Sequence, residues 1–298
     1  MKRLIYQLLL FSIPVFVFVL ISCIYYVMKR SDVKSEMREI SQYESLIMGD
    51  SQMQRIKPEH FSLNTLNFGS SAEHYYFTYE KIRDLISYDK SKLQQVILGL
   101  NLHSLAPVYS RRFDTDFPEG RTNLFRYLYF LDLRDQSYCS LQDIFSMNFM
   151  KGIYTEPDWG GISQFNSSNP DSAIIEIGYR DQFSIVGDEN PYAYEQITWL
   201  SKIDSLCYAN DVDLYLVTLP YHILYTSKID DSYTVLLEQT IEGIKYATHL
   251  RFNDINIAPE LLSDGTHLNT KGSDIFSKMI DEAIQNSQSL ISEQLNLP

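Results

Sequence analysis

Leu4 to Met28 is a run of 25 residues without a charge, bracketed by Lys2-Arg3 and Lys29-Arg30. A bilayer core about 30 Å thick needs about 20 such residues, so the run is long enough to span a membrane with some tilt. Two other readings stay open. A cleaved secretory signal has a shorter apolar region, about 7–15 residues, with small residues at the cut. Leu20-Ile21-Ser22-Cys23 has the form of a lipobox, in which Cys23 is lipidated and becomes the N-terminus. Against that, Ile24 to Met28 carries the apolar run past the cysteine. The spanning anchor, residues 1–30, is the preferred reading, with the remainder of the chain outside the cytoplasm of a bacterial cell. Flanking charge says little about orientation, because basic residues stand on both sides of the run.

The rest of the chain is acidic. The 298 residues carry 25 Lys+Arg against 38 Asp+Glu, and four of the basic residues lie before residue 31, leaving 21 basic against 38 acidic. Such a surface repels phosphate backbones, which argues against nucleic acid as a partner and against peripheral binding to anionic lipid. At 45% hydrophobic and 21% charged residues the composition is that of a globular chain with a sizeable core. Cys139 and Cys207 are the only cysteines beyond the anchor. They are read either as a disulfide or as two buried thiols.

After a polar linker (31–44), the sequence alternates strands and helices. Strands are expected at Ser45–Met48, Thr65–Phe68, Gln95–Gly99, Val212–Leu219 and His249–Phe252. Helices are expected at Ala72–Ile86, Tyr192–Ala209, Ser232–Ala247 and Thr270–Gln285. The strand at 95–99 is apolar on both sides, as a buried parallel strand is. Residues 102–171 follow no period, and are read as an insertion over the core of one domain, 45–298. Alternation with buried strands implies a three-layer α/β domain with a mostly parallel sheet.

In such sheets, sites form beyond the carboxyl ends of the strands. Three ends carry polar turns: Gly49-Asp50-Ser51, Asn67-Phe68-Gly69 and Gly99-Leu100-Asn101. A fourth block, Ser263-Asp264-Gly265-Thr266-His267-Leu268-Asn269, precedes the last helix. A serine nucleophile needs a histidine to take its proton and a carboxylate to orient that histidine. Ser51, His267 and Asp264 fit those roles, with Asp254 as an alternative acid. The oxyanion of acyl transfer needs preorganised donors. Candidates are the N–H groups of Ser51 and Gly69 and the side-chain amide of Asn101. Each residue also has a structural role open to it: Ser51 as a helix cap, Asp264 as a turn former, Gly69 as a residue tolerating positive φ, and Asn101 as a bond to local backbone. His103 and His222 follow strands and either line the crevice or serve packing. His60, His74 and His249 are read as packing or surface residues. The 22 Tyr and 16 Phe suit a carbohydrate platform or, more commonly, core packing.

These four blocks, in this order, resemble the SGNH (GDSL-type) esterase and acyltransferase superfamily, over Ser45 to Gln285. Asp264-Gly265-Thr266-His267-Leu268-Asn269 is the strongest piece. The chain departs from the family pattern where Gln52-Met53 follows Ser51 and Leu102 follows Asn101. With its anchor, the chain looks most like the branch that acylates envelope polymers, such as alginate acetylation proteins and the D-alanyl transfer protein of teichoic acid synthesis. The resemblance implies an SGNH-like, flavodoxin-like domain with a Ser51–His267–Asp264 triad and no cofactor, and no metal is expected because no His, Cys and carboxylate cluster has ligand spacing. It implies as substrates an acyl ester or acylated carrier and an envelope glycan, and as a partner a membrane-bound acyltransferase. The opposing expectation is a catalytically idle module that binds a glycan or a protein of an envelope assembly.

Overall fold

The computed structural model describes residues 2–110, 126–131, 153–163, 170–183 and 192–295. It opens with α1 (Lys2–Ile40), among the described residues the one helix long and apolar enough to cross a membrane. At about 1.5 Å per residue its 39 residues reach about 58 Å, well past a bilayer core. The helix does not stop at Arg30, so the expected linker over 31–44 is corrected: most of it is helical. Val33 and Met37 are 2% and 0% exposed in the domain core, and Ile40 packs against that core. Three apolar residues at a spacing of four and three make one helical stripe, which the polar residues between them disguise.

Five strands form one sheet: β1 (Ser45–Met48), β2 (Thr65–Asn67), β3 (Gln95–Gly99), β4 (Asp213–Thr218) and β5 (Thr248–Arg251). Their order is β2-β1-β3-β4-β5 and every pairing is parallel. All five expected strands are present, with ends shifted by no more than a residue.

The central strands β1, β3 and β4 are mostly apolar without alternation because both faces are covered. On one face Leu46, Met48, Val96, Leu98, Leu214 and Leu216 join a core with residues of α2 (Tyr75–Ile86), α4 (Tyr194–Tyr208) and α6 (Asp231–Gly243). On the other, Ile47, Ile97, Tyr215 and Val217 meet Phe276, Ile280 and Ile284 of α7 (Thr270–Leu295). Two further helices, α3 (Ser172–Phe183) and the short α5 (Ile223–Thr226), were not expected from the sequence. Cys207 is buried, and burial pushes its thiol up to about 12. Cys139, and most of the expected insertion, lie outside the described residues.

The chain leaves β1 toward β2 on one side and later fills β3, β4 and β5 on the other. The order therefore reverses between β1 and β3, the place in an open parallel sheet where ligands bind beyond the carboxyl ends of the strands. Ser51 follows β1 and Asn101 follows β3, so the fold itself brings these two turns together.

Candidate active site

The turn after β1 begins with Gly49 at φ +117°, a conformation that side chains with a Cβ rarely adopt. This sharp exit lifts Ser51, half-buried, over the end of the sheet. Asp50 turns the other way, into the protein. Its Oδ1 accepts the Gln52 N–H at 3.0 Å, and its Oδ2 meets His103 Nε2 at 2.5 Å and the Tyr109 hydroxyl at 2.9 Å. Burial would raise the Asp50 carboxyl, but the His103 imidazole and these hydrogen bonds override it and hold the carboxyl at about 2.

The Ser51 hydroxyl lies 2.7 Å from His267 Nε2, although 216 residues separate them. On the other side of the ring, His267 Nδ1 is 2.7 Å from Asp264 Oδ2. Asp264 Oδ1 accepts the N–H groups of Thr266 and His267, both at 2.8 Å, so a single tight turn fixes carboxylate and imidazole together. Burial alone would raise Asp264, yet its bonds to His267 and Thr266 lower it to about 2. It is a fixed anion at neutral pH. Gly265 is required between them: a Cβ there would sit 2.7 Å from the Tyr225 ring. The three residues expected from the sequence thus form one hydrogen-bonded line, with Asp264, not Asp254, behind the ring.

The expected oxyanion donors are arranged differently. The Gly69 N–H donates to Asn67 Oδ1 at 3.0 Å. Asn67 in turn uses its amide nitrogen to clamp the carbonyls of Met53 and Ile56, both at 2.7 Å, and so shapes the loop after Ser51. The Asn101 side chain, 1% exposed, accepts the Leu219 N–H at 2.8 Å and donates to Gln52 Oε1 at 2.6 Å. Both groups sit at the crevice, and both are engaged inside the protein. Ser51 N–H is the one of the three donors with no acceptor among the described residues.

Of the remaining histidines, His103 is buried and bridges Asp50 to the Tyr221 hydroxyl, while His222 and His74 cap helices. His60 meets Asp274 at 2.9 Å, and His249 meets the Thr218 hydroxyl at 2.6 Å. Sequence reasoning missed Gln52, His103 as the partner of Asp50, and the role of residues 153–163. That segment docks beside the turns: Gly161 N–H donates to the Gly69 carbonyl at 2.9 Å, and Ser163 N–H to the Gln54 carbonyl at 2.9 Å. The buried Arg55 guanidinium reaches the Ser163 carbonyl at 2.5 Å. Trp159-Gly160-Gly161 was the visible signal, but nothing in it says where it docks.

A scan against protein-family models found no match, and no curated protein matches the chain.

Proposed function

We propose that this chain is a membrane-anchored serine esterase or O-acyltransferase of the SGNH type, working outside the cytoplasm at the bacterial inner membrane. The observation that carries the reading is the line Ser51–His267–Asp264, with 2.7 Å at each contact. Ser51 Oγ attacks an acyl carbonyl while His267 Nε2 takes its proton. His267 then returns that proton to the leaving group, and Asp264 holds the ring and balances the imidazolium. The parallel sheet with apolar cores on both faces supports the three-layer arrangement that this family uses. Ser51 N–H is the first oxyanion donor; for Gly69 and Asn101 to join it, they exchange Asn67 and Gln52 for the substrate oxygen. The acyl group comes from an ester or an acylated carrier and goes to water or to a glycan hydroxyl, with a membrane-bound acyltransferase as supplier. Lipidation at Cys23 is the alternative to a spanning anchor.

The engagement of Gly69 and Asn101 also favours a second reading, an idle domain of the same fold that binds a glycan or a protein partner. A fluorophosphonate probe separates the two, because it needs only an activated serine hydroxyl. The wild-type chain is expected to label and Ser51→Ala to lose the label. An unlabelled wild-type chain with a cooperative unfolding transition would leave the binding reading.

A further inference from the structure

The apolar run of α1 is longer than a bilayer needs. Its 25 residues measure about 37 Å, against about 30 Å of hydrocarbon, so an untilted helix has about 7 Å in excess, a little over one turn when it all lies before Lys29 at the level of the lipid headgroups. Tyr25 and Tyr26 mark that level, the usual place for tyrosine in a spanning helix.

The domain reaches back to the same level. Tyr154 places its hydroxyl 2.9 Å from the Ser22 hydroxyl, and its ring centre lies 5.1 Å from that of Tyr25. Ser22 is six residues inside the end of the apolar run, about 9 Å along the helix. Tyr26 stacks on Tyr129 at 5.5 Å, and Lys29 binds Glu156 at 2.8 Å just beyond. Tyr154 nevertheless stays 46% exposed, at the same height along α1 as Ile21 and Ile24, which are 55% and 53% exposed on other faces of the helix. A bilayer that reaches those isoleucines reaches the height of the tyrosine.

We propose that Tyr154 is a second membrane contact of this protein, seated in the headgroup layer against α1, and that residues 154–163 form a strap from the bilayer surface to the Ser51 crevice. The strap is bonded along its length. Asp158 accepts from Ser70, Trp159 stacks on Phe68, and Gly161 N–H holds the Gly69 carbonyl. Seven residues separate Tyr154 from Gly161, at most about 25 Å of extended chain, so the Gly69 turn is held within that distance of the tyrosine ring. The inference rests on α1 spanning the membrane and not on the chemistry of Ser51.

The test uses the full chain in phosphatidylcholine–phosphatidylglycerol vesicles with brominated acyl chains, which quench tryptophan by contact. Tyr154→Trp adds a third indole to Trp159 and Trp199, and Tyr25→Trp reports on the anchor itself. The fluorescence added by each variant is expected to be quenched by bromolipid, most strongly with bromines near the headgroups, and to resist aqueous iodide. Quenching at 25 with iodide-accessible fluorescence at 154 overturns the strap contact while leaving the anchor in place. Loss of bromolipid quenching at both positions overturns the spanning reading and the contact together. Should the indole at 154 abolish cooperative unfolding, a spin label on Tyr154→Cys, in a chain lacking Cys23 and Cys139, repeats the measurement. Oxygen exceeding a nickel chelate in access to that label supports the contact, and the reverse overturns it.

Discussion

At the scale of single residues, the proposed mechanism makes Ser51 and His267 act only as a unit. Removing the hydroxyl strands the base, and removing the base leaves an ordinary alcohol. Ser51→Ala and His267→Ala are each expected to lower turnover of an activated ester by on the order of 10³-fold or more, and the double variant to fall no further. Additive losses would mean that the two residues do not share one step. Asp264→Asn is expected to cost less, because the nucleophile and its base both remain, although the amide no longer holds the ring in the tautomer that leaves Nε2 free to take the proton. Asp50 makes a different prediction. Its carboxyl is held at about 2, below an ordinary aspartate, although burial opposes this; the His103 imidazole and the bonds from Gln52 and Tyr109 prevail. A lowered carboxyl contributes stability that is complete above its unfolded value, about pH 4, and is lost as pH falls through about 2. The urea midpoint of the wild type is therefore expected to exceed that of Asp50→Asn by a margin that is present at about pH 4 to 5 and closes toward pH 2. A margin unchanged down to pH 2 would show that Asp50 does not titrate in this range.

At the scale of elements, what was legible in the sequence is what repeats a simple physical rule. Strands β1, β3 and β4 read as apolar runs because both of their faces are covered, and the turns after β1, β2 and β3 read as sites because strand ends are where a parallel sheet presents side chains. Asp264 and His267 were legible as a pair because one turn carries both. Three things were hidden. The continuation of α1 past Arg30 rests on Val33, Met37 and Ile40, each flanked by polar residues, so composition read as linker what is a docking helix. Helix α3 buries only Ile175 among its twelve residues, too weak a stripe to stand out. The partners of Gly69 and Asn101 depend on side chains from other turns, Asn67 and Gln52, whose reach a linear motif does not carry. The docking of α1 is open to measurement. Met37→Ala removes a fully buried side chain between α1 and the core, and is expected to cost about 2–5 kcal/mol in denaturant unfolding. Glu36→Ala, on an exposed side of the same turn, is expected to change stability by no more than about 0.5 kcal/mol. Equal effects at the two positions would contradict the packing of α1 described above.

At the scale of the whole molecule, the apolar run and the domain share one helix, so where the chain is cut decides what survives. Residues 1–30 contribute the apolar run, whose side chains from Leu10 to Met28 are mostly exposed and have no place in water. Residues 31–40 contribute Val33 and Met37 to the core, the Lys34 carbonyl to the Tyr88 hydroxyl, and Arg38 over the Tyr88 ring. A chain starting at residue 31 keeps all of these and carries 21 basic against 38 acidic residues, a net charge that keeps copies apart. It is expected to be soluble and monodisperse, to unfold cooperatively, and to take the fluorophosphonate label at a rate within about threefold of the full chain in detergent. A chain starting at residue 41 exposes the surface that Val33 and Met37 cover, and the loss of two such buried side chains costs about 3–7 kcal/mol, a large part of the stability of an ordinary domain. It is expected to aggregate or to unfold at much lower denaturant. Size-exclusion elution and the urea midpoint of the two fragments decide between the two views of residues 31–40. If both fragments behave alike, those residues are the linker that their polarity suggests. If the shorter one fails, the helix that carries the apolar run is also part of the domain's core.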